Sequence, residues 1–200
     1  MSLKDTYNRI AKDWIEDHDP DTWWVSGTDE FIKMLPKGAK VLDVGCGGGI
    51  KTKYLSDHGL AATGADFSEE MIRLVKERFP KINFFVQDIR QPIRVGEGFD
   101  GVFAQAVLLH IPKKEVVEVL KNLLAPLKPG GLLYVAVKKI KLGKPEEEVV
   151  KENDYNYDYE RFFSYFVPEE MANYFAKAGL KIIWQDIVSS GKTDWIQIVG

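Results

Sequence analysis

One acid and three glycines at alternate positions form the densest group of residues that could bind a ligand: Asp43, Gly45, Gly47 and Gly49. Asp43 lies within, and the glycines follow, the short run 41–44, whose other residues are apolar, as is typical of a parallel strand that is buried on both faces. Glycines let the chain turn sharply and bring its backbone amides close to a ligand that a side chain would keep away. A helix is predicted directly afterwards, near 51–55. Strand, glycine turn and helix N-terminus together predict a nucleotide-type site.

Two further acids end the next two predicted strands. Asp66 closes the segment 61–66, about 20 residues after the glycines, where a carboxylate accepts hydrogen bonds from a ribose. Asp88 closes the segment 82–88. A single acid at a strand end is usually a surface cap, but three acids at successive strand ends beside a glycine turn favour one shared site. Enzymes that bind NAD use the same ribose spacing, so Asp66 alone does not identify the ligand.

The glycine spacing helps to distinguish the possible nucleotides. The dinucleotide fingerprint G-x-G-x-x-G/A places its third glycine at Ile50, where a branched side chain opposes close packing of helix on strand. The spacing D-x-G-x-G-x-G instead resembles that of class I S-adenosylmethionine-dependent methyltransferases. The resemblance runs from about residue 36 to 184 and includes a fourth strand at 98–105 and a fifth at 127–135.

This resemblance implies S-adenosylmethionine as methyl donor, S-adenosylhomocysteine as product, and an in-line displacement that requires no metal. In the family, the acid that matches Asp88 accepts from the adenine amino group, and the residue that matches Ile89 covers the ring. The expected donor site consists of Tyr7, Trp14, Asp43, Gly45, Cys46, Gly47, Gly49, Asp66, Phe67, Met71, Asp88, Ile89 and Gln105.

His110 is the candidate general base, because it follows the fourth strand near the place where the family binds its acceptor. An unperturbed imidazole, with a pKa near 6.5, would accept a proton at neutral pH. The alternatives are that His110 only braces the local turn, or that catalysis depends on positioning alone. His18 and His58 lie far from it in sequence and do not give metal-ligand spacing.

The periodicity of the apolar residues predicts the fold. Helical stripes occur at 7–15, 71–79, 116–127 and 168–178, and they alternate with the strands, which predicts a parallel sheet wound on both faces. Segments 180–187 and 195–199 are joined by a turn too short for a parallel crossover, so we expect them to be antiparallel. The expected class is α/β, a Rossmann-like, doubly wound, seven-stranded sheet that is mostly parallel with an antiparallel C-terminal hairpin.

A length of 200 residues suits one domain. We expect a helical cap at 1–35, a donor-binding core at 36–138, and a region at 139–200 that holds a substrate-side insertion and the C-terminal helix and strands. Tyr7 and Trp14 lie on one face of the first helix, which we expect to form a lid over the donor. Trp23, Trp24 and the polar segment 139–161 are expected to carry specificity. The alternative is that these aromatic residues belong to the core.

Composition limits the partners and the location. The formal net charge is −3 with no basic stripe, which argues against a nucleic-acid substrate. No apolar run approaches the roughly 18 residues of a membrane span, and the start lacks the apolar core of a signal peptide. Cys46 is the only cysteine, so an internal disulfide is impossible and a cytoplasmic location is expected. The oligomeric state is left open.

The end of the fourth strand narrows the acceptor. Methyltransferases that act on DNA-base amines or glutamine amides carry an Asn/Asp-Pro-Pro-aromatic motif there, whereas this chain has Ala-Gln-Ala-Val at 104–107. There is also no Pro-Cys pair for attack on cytosine, so a small-molecule acceptor is expected. The open alternatives are a dinucleotide-dependent oxidoreductase, a polyamine synthase-like transferase and a non-catalytic S-adenosylmethionine-binding protein.

Overall fold

The structure is a computed structural model that describes residues 2–200 and has an α/β architecture around a seven-stranded sheet. The helices are α1 (Leu3–His18), α2 (Val25–Met34), α3 (Ile50–Asp57), α4 (Glu69–Arg78), α5 (Val116–Leu124) and α6 (Pro168–Lys177). The strands are β1 (Lys40–Val44), β2 (Ala61–Asp66), β3 (Asn83–Val86), β4 (Phe99–Gln105), β5 (Leu127–Lys138), β6 (Glu147–Glu152), β7 (Tyr159–Ser164), β8 (Trp184–Ser190) and β9 (Thr193–Val199). Two short 3-10 helices, Leu108–His110 and Lys113–Glu115, follow β4.

The main sheet has the strand order β3-β2-β1-β4-β5-β9-β8. Its first five strands are parallel, and β9 runs antiparallel to both β5 and β8. This arrangement confirms the predicted fold class. Chain order reverses between β1 and β4, and doubly wound sheets bind ligands in the crevice at the carboxyl ends of such strands. Leu42, Val102 and Leu133 are completely buried on three adjacent strands, so the core holds this crevice rigidly.

The helix that follows β2 begins as the sequence predicts. The Ser68 side chain accepts a hydrogen bond of 3.1 Å from the Met71 N–H, and Glu69 and Glu70 occupy the first turn. A serine at this position satisfies an amide that has no partner within the helix, and the two acids favour the positive end of the helix dipole. Capping therefore fixes where α4 starts, and with it the short connection from Asp66.

Two predicted boundaries near the C-terminal half are wrong. The helical stripe at 116–127 extends too far, because α5 ends at Leu124, whereas residue 127 is the first residue of β5, as the predicted fifth strand at 127–135 has it. The eighth strand begins at Trp184 rather than at residue 180 and continues through Ser190, which pairs with Thr193. The antiparallel ladder thus extends almost to the turn. The predicted antiparallel pairing itself is confirmed.

The long polar segment at 139–161, whose sequence shows no clear periodicity, contains regular structure. Strands β6 and β7 form a separate antiparallel hairpin, in register from Glu147 opposite Ser164 to Glu152 opposite Tyr159. Exposed and half-buried positions alternate along β6, but charged residues occur on both faces, so the polarity of the sequence does not show the strand periodicity. Within residues 2–200, no helix is long and apolar enough to cross a membrane.

Side-chain contacts from the hairpin and the turn within it hold α1 in position. The Tyr157 hydroxyl donates a hydrogen bond of 2.7 Å to Asp13, and the Arg9 guanidinium lies 4.4 Å from the Tyr157 ring centroid. The Thr6 hydroxyl donates to the Glu160 carbonyl oxygen at 3.1 Å. Tyr157, in the segment expected to carry specificity, therefore packs against α1 and helps to position that helix.

Candidate functional site

A cavity of about 340 Å³ opens at the carboxyl ends of the parallel strands. Twelve of the predicted site residues line it: Tyr7, Trp14, Gly45, Cys46, Gly47, Asp66, Phe67, Met71, Asp88, Ile89, Gln105 and His110. They come from α1, the glycine turn, the first turn of α4, the ends of β2 and β4, and the segments that directly follow β2, β3 and β4. Asp43 and Gly49 do not line this cavity.

The glycine turn has a backbone that requires glycine. Gly45 and Gly47 adopt φ values of +66° and +50°, in the left-handed region that side chains rarely enter. A Cβ atom on Gly45 would lie 2.6 Å from Val107, and one on Gly47 would lie 2.8 Å from the Trp14 ring. The turn is therefore closely covered by the loop after β4 and by α1, and no space remains for added atoms.

Gly49 plays a different part from the one expected. It caps α3 with φ +74°, and a Cβ atom there would lie 3.1 Å from Val75 and 3.2 Å from Phe79. Both neighbours belong to the α4 end of the fold rather than to the cavity. Gly49 therefore permits close packing of the turn against α4.

Asp43 supports the turn from inside the protein. Its carboxyl group is buried and accepts a hydrogen bond of 2.6 Å from the Thr52 hydroxyl at the start of α3. Burial raises the pKa of Asp43 to about 7, although the Thr52 hydrogen bond and nearby Lys51 act in the opposite direction. Because it lies beneath the cavity wall, Asp43 is placed to hold the turn against α3.

Asp66 connects the glycine turn with α4. Its two carboxylate oxygens accept hydrogen bonds from the Gly47 N–H at 3.0 Å and the Ser68 N–H at 2.9 Å. Burial raises the pKa of Asp66 to about 6, while these amide hydrogen bonds stabilise the ionised form. Each oxygen has a second lone pair, so the carboxylate can still accept hydrogen bonds from a ligand in the cavity.

Asp88 is already paired with Arg90, a residue that the sequence did not indicate as part of the site. The Arg90 guanidinium donates three hydrogen bonds to its carboxylate, at 2.7, 3.1 and 3.1 Å, and Arg90 also lines the cavity. The adjacent Ile89 is buried and apolar. A ring amine reaching Asp88 would share the carboxylate with Arg90, so this contact would be weaker than one to a free acid.

His110 is held by both ring nitrogens. Nδ1 lies 2.7 Å from the Phe162 carbonyl oxygen, and Nε2 lies 2.8 Å from the Tyr7 hydroxyl. Burial lowers the pKa of His110 to about 3, below the unperturbed value on which its candidacy as general base rests. An imidazole with so low a pKa is a weak base, and this environment favours the alternative in which His110 braces the turn.

The far end of the cavity is built from residues that the sequence did not single out together. Phe163 and Trp195 are buried aromatic walls, and Trp23 stacks on Trp195 with 3.8 Å between ring centroids. Lys138, at the end of β5, and Arg161, on β7, are the cationic side chains there. These residues come together only through strand pairing and the hairpin, so no local spacing marks them.

Arg161 has a carboxylate partner of its own. Its guanidinium donates to both oxygens of Glu152 at 2.6 and 2.5 Å, and both side chains are largely buried. Arg161 also approaches the Tyr7 hydroxyl at 3.4 Å. The ion pair joins β6 to β7, and the contact with Tyr7 links it to α1. Because Glu152 is its partner, the positive charge of Arg161 is balanced within the fold.

Comparison with known proteins identifies the family. Residues 17–185 match a family model described as a methyltransferase domain. Ubiquinone biosynthesis O-methyltransferase of Coxiella burnetii is 38% identical over 102 residues, which is 49% of this chain and 43% of that protein. Trans-aconitate 2-methyltransferase of Variovorax paradoxus is 35% identical over 103 residues, which is 50% of this chain and 39% of that protein. The chain therefore spans less than half of the length of these relatives.

Among solved structures, the chain resembles 1,6-didemethyltoxoflavin-N1-methyltransferase of Burkholderia thailandensis, which was solved with bound 1,6-didemethyltoxoflavin and S-adenosylhomocysteine. The TM-score is 0.78 at 18% identity, over 98% of this chain and 85% of that one, so the likeness concerns the fold. The family match, in contrast, extends over most of the sequence and includes the glycine turn and every strand of the parallel sheet. The chain belongs to the methyltransferase domain family.

Proposed function

We propose that this protein is an S-adenosylmethionine-dependent methyltransferase that acts on a small-molecule acceptor. One observation carries the proposal: a single cavity joins the glycine turn and Asp66 at one end to the aromatic pocket around Phe163 and Trp195 at the other. A transferase that moves a group between two molecules must hold donor and acceptor together in one cavity from which water is excluded. The switch point between β1 and β4 lies between the two ends.

The residues at the first end fit the donor. The left-handed turn at Gly45 and Gly47 offers backbone amides without side chains, and Asp66 offers a buried carboxylate for ribose hydroxyls. The Gln105 amide lines the same cavity, and within residues 2–200 neither its nitrogen nor its oxygen has a hydrogen-bond partner. A buried polar group without a partner is costly, so Gln105 is suited to bind a polar part of the ligand.

Catalysis would depend chiefly on positioning. When bound, S-adenosylmethionine supplies a methyl group on a sulfonium centre that is already activated for displacement. The chain's part is to hold the attacking atom in line with that centre, which can be worth several kcal/mol. Tyr7 and Trp14 from α1 and Phe163 from the hairpin close the cavity and exclude water. His110 would fix Tyr7 rather than accept a proton.

The names of the relatives support a small acceptor. They include O-methyltransferases of ubiquinone biosynthesis and a trans-aconitate 2-methyltransferase. The net charge of −3 and the lack of a basic stripe argue against a nucleic-acid acceptor. A cytoplasmic location would suit the single buried Cys46, whose pKa burial raises well above its ordinary value.

Transfer of label provides the test. The protein is incubated with methyl-labelled S-adenosylmethionine and a metabolite extract, and products are separated by mass. We expect label in a small molecule, and none with Gly47→Val, which fills the turn. Tight binding of S-adenosylhomocysteine without label in any product would favour the non-catalytic alternative.

A further inference from the structure

Lys138 has an unusual position at the far end of the cavity. It is the last residue of β5, is partly buried, and pairs across the ladder with Trp195 on β9. Its Nζ lies 4.1 Å from the Phe163 ring centroid and 5.9 Å from that of Trp195. Ring faces attract a cation only modestly and leave the three N–H donors of an ammonium group unused.

Within residues 2–200, no carboxylate forms an ion pair with Lys138, and the neighbouring Arg161 is paired with Glu152. The Lys138 pKa is lowered to about 8, first because burial removes water and then because Arg161 lies nearby, while Glu152 and Glu148 act in the opposite direction. A partly dehydrated ammonium group that faces a cavity and lacks a fixed partner is suited to bind an anion from the cavity.

The anion that Lys138 would bind belongs to the acceptor rather than to the donor. In the sheet, β4 separates β5 from β1, while Asp66 and Asp88 follow β2 and β3 on the opposite side of β1. The donor residues therefore occupy one half of the crevice, and Lys138 occupies the other. Trp23, Phe163 and Trp195 line that second half with flat apolar surfaces.

Resting on the proposed function, we propose that the acceptor is a planar, conjugated carboxylic acid: its carboxylate binds Lys138 and its plane lies among the rings of Trp23, Phe163 and Trp195. At this end of the cavity, within residues 2–200, Lys138 is the cationic side chain without an ion pair, which matches a single negative charge. A phosphate group carries a charge of about −1.5 to −2 and three acceptor oxygens, more than one lysine neutralises, and Arg161 is already bound to both oxygens of Glu152. Lys138 is thus a specificity-determining residue.

The test compares acids with their neutral amides of nearly equal shape. Benzoate and benzamide, cinnamate and cinnamamide, and 2-naphthoate and 2-naphthamide are titrated into the full chain, with and without S-adenosylhomocysteine. Binding is followed by calorimetry and by the intrinsic tryptophan fluorescence. In at least one pair, the affinity for the acid should be at least tenfold higher than that for the amide. Equal binding of acid and amide in every pair, or no acid binding at its solubility limit, would overturn the proposal.

Three variants separate a local contact from general charge effects. Lys138→Met keeps the shape but should reduce the acid preference to within about twofold, and Lys138→Arg should retain part of it. Lys141→Met removes the same charge from an exposed position outside the cavity and should leave the preference unchanged. An acid preference that survives in Lys138→Met would also contradict the proposal.

The donor site serves as an independent readout. Lys138→Met should bind S-adenosylhomocysteine like the wild type, which shows that the variant is folded. If the wild type itself does not bind S-adenosylhomocysteine, the proposed function fails. If it binds S-adenosylhomocysteine but does not distinguish acids from amides, only the present inference fails.

Discussion

The Tyr7 hydroxyl and the His110 imidazole share one hydrogen bond, with 2.8 Å between Oη and Nε2. The other ring nitrogen of His110 lies 2.7 Å from the Phe162 carbonyl oxygen, which can only accept. Nδ1 therefore carries the proton, and Nε2 accepts from Tyr7. The imidazole thus joins α1 to the hairpin across the turn that follows β4.

This pairing predicts that His110 stays neutral across the physiological range. Burial lowers its pKa to about 3, so its ring signals should not titrate between about pH 5 and pH 8. NMR of protein labelled at histidine measures this directly, with His110→Asn to assign the signal. A midpoint near 6.5 would contradict the account and restore His110 as a general base.

The glycine turn gives a prediction with a matched control. Gly47→Ala places a Cβ atom at φ +50° and 2.8 Å from Trp14, so it should displace α1 and greatly weaken binding of S-adenosylhomocysteine. Gly59→Ala creates the same kind of strain at φ +82° with nothing within 4 Å, at a cost of about 1–2 kcal/mol in stability. Its affinity for S-adenosylhomocysteine should not change. Equal losses of affinity in both variants would mean that backbone strain alone matters.

Asp43 should make stability depend on pH. Its folded pKa of about 7 lies above the unfolded value, so the native state binds the extra proton. The corresponding stabilisation is complete below about pH 4 and is lost as the pH rises through 7. Asp43→Asn does not titrate at this site, so its free energy of unfolding relative to the wild type should increase from pH 5 to pH 8 in urea titrations.

An exposed acid is the control for Asp43. Asp57→Asn, at the end of α3, changes the same chemical group at an exposed position, where its ion pair with Lys53 contributes little to stability. Its free energy of unfolding relative to the wild type should vary far less with pH. If the Asp43→Asn difference is likewise constant between pH 5 and pH 8, the carboxyl group does not hold a proton in the native state.

The parallel part of the sheet could be predicted from the sequence because β1, β2 and β3 are short runs that end in, or are closely followed by, an acid or a glycine turn. The ends of β2, β1 and β4 carry Asp66, Gly45 and Gln105, in that order across the sheet, as the doubly wound topology requires. The far end of the cavity could not be predicted in this way. Lys138 and Trp195 meet through pairing of β5 with β9, and Arg161 arrives on a hairpin whose polar residues mask its periodicity.

The lid hypothesis remains a prediction, and the structure sharpens it. Tyr7 and Ile10 of α1 are buried, but Trp14 faces the cavity with an indole N–H that has no hydrogen-bond partner within residues 2–200. Part of the helix therefore depends on ligand for its packing. Adding S-adenosylhomocysteine should slow hydrogen exchange in residues 5–17. Exchange in α5, which the cavity does not touch, should stay the same.

The lid hypothesis has a clear contrary outcome. If residues 5–17 are already strongly protected and ligand does not alter them, Tyr7 and Trp14 act as core residues. The hydrogen bonds from Thr6 to Glu160 and from Tyr157 to Asp13 would then hold α1 closed on their own.

The central claim is that the cavity binds the methyl donor through Asp66. Two charge-assisted hydrogen bonds from the ribose hydroxyls are worth about 2–3 kcal/mol. Asp66→Ala should therefore weaken binding of S-adenosylhomocysteine by roughly 30-fold or more, at about 1.4 kcal/mol per tenfold change. Asp57→Ala, which removes an exposed acid, should leave that affinity intact.

Calorimetric titration of the wild-type protein with S-adenosylhomocysteine and with NADH tests this claim most directly. The account predicts one binding site for S-adenosylhomocysteine, no measurable heat with NADH, and the stated loss of affinity in Asp66→Ala. Tight binding of NADH together with no binding of S-adenosylhomocysteine would contradict it and support a dinucleotide-dependent oxidoreductase instead.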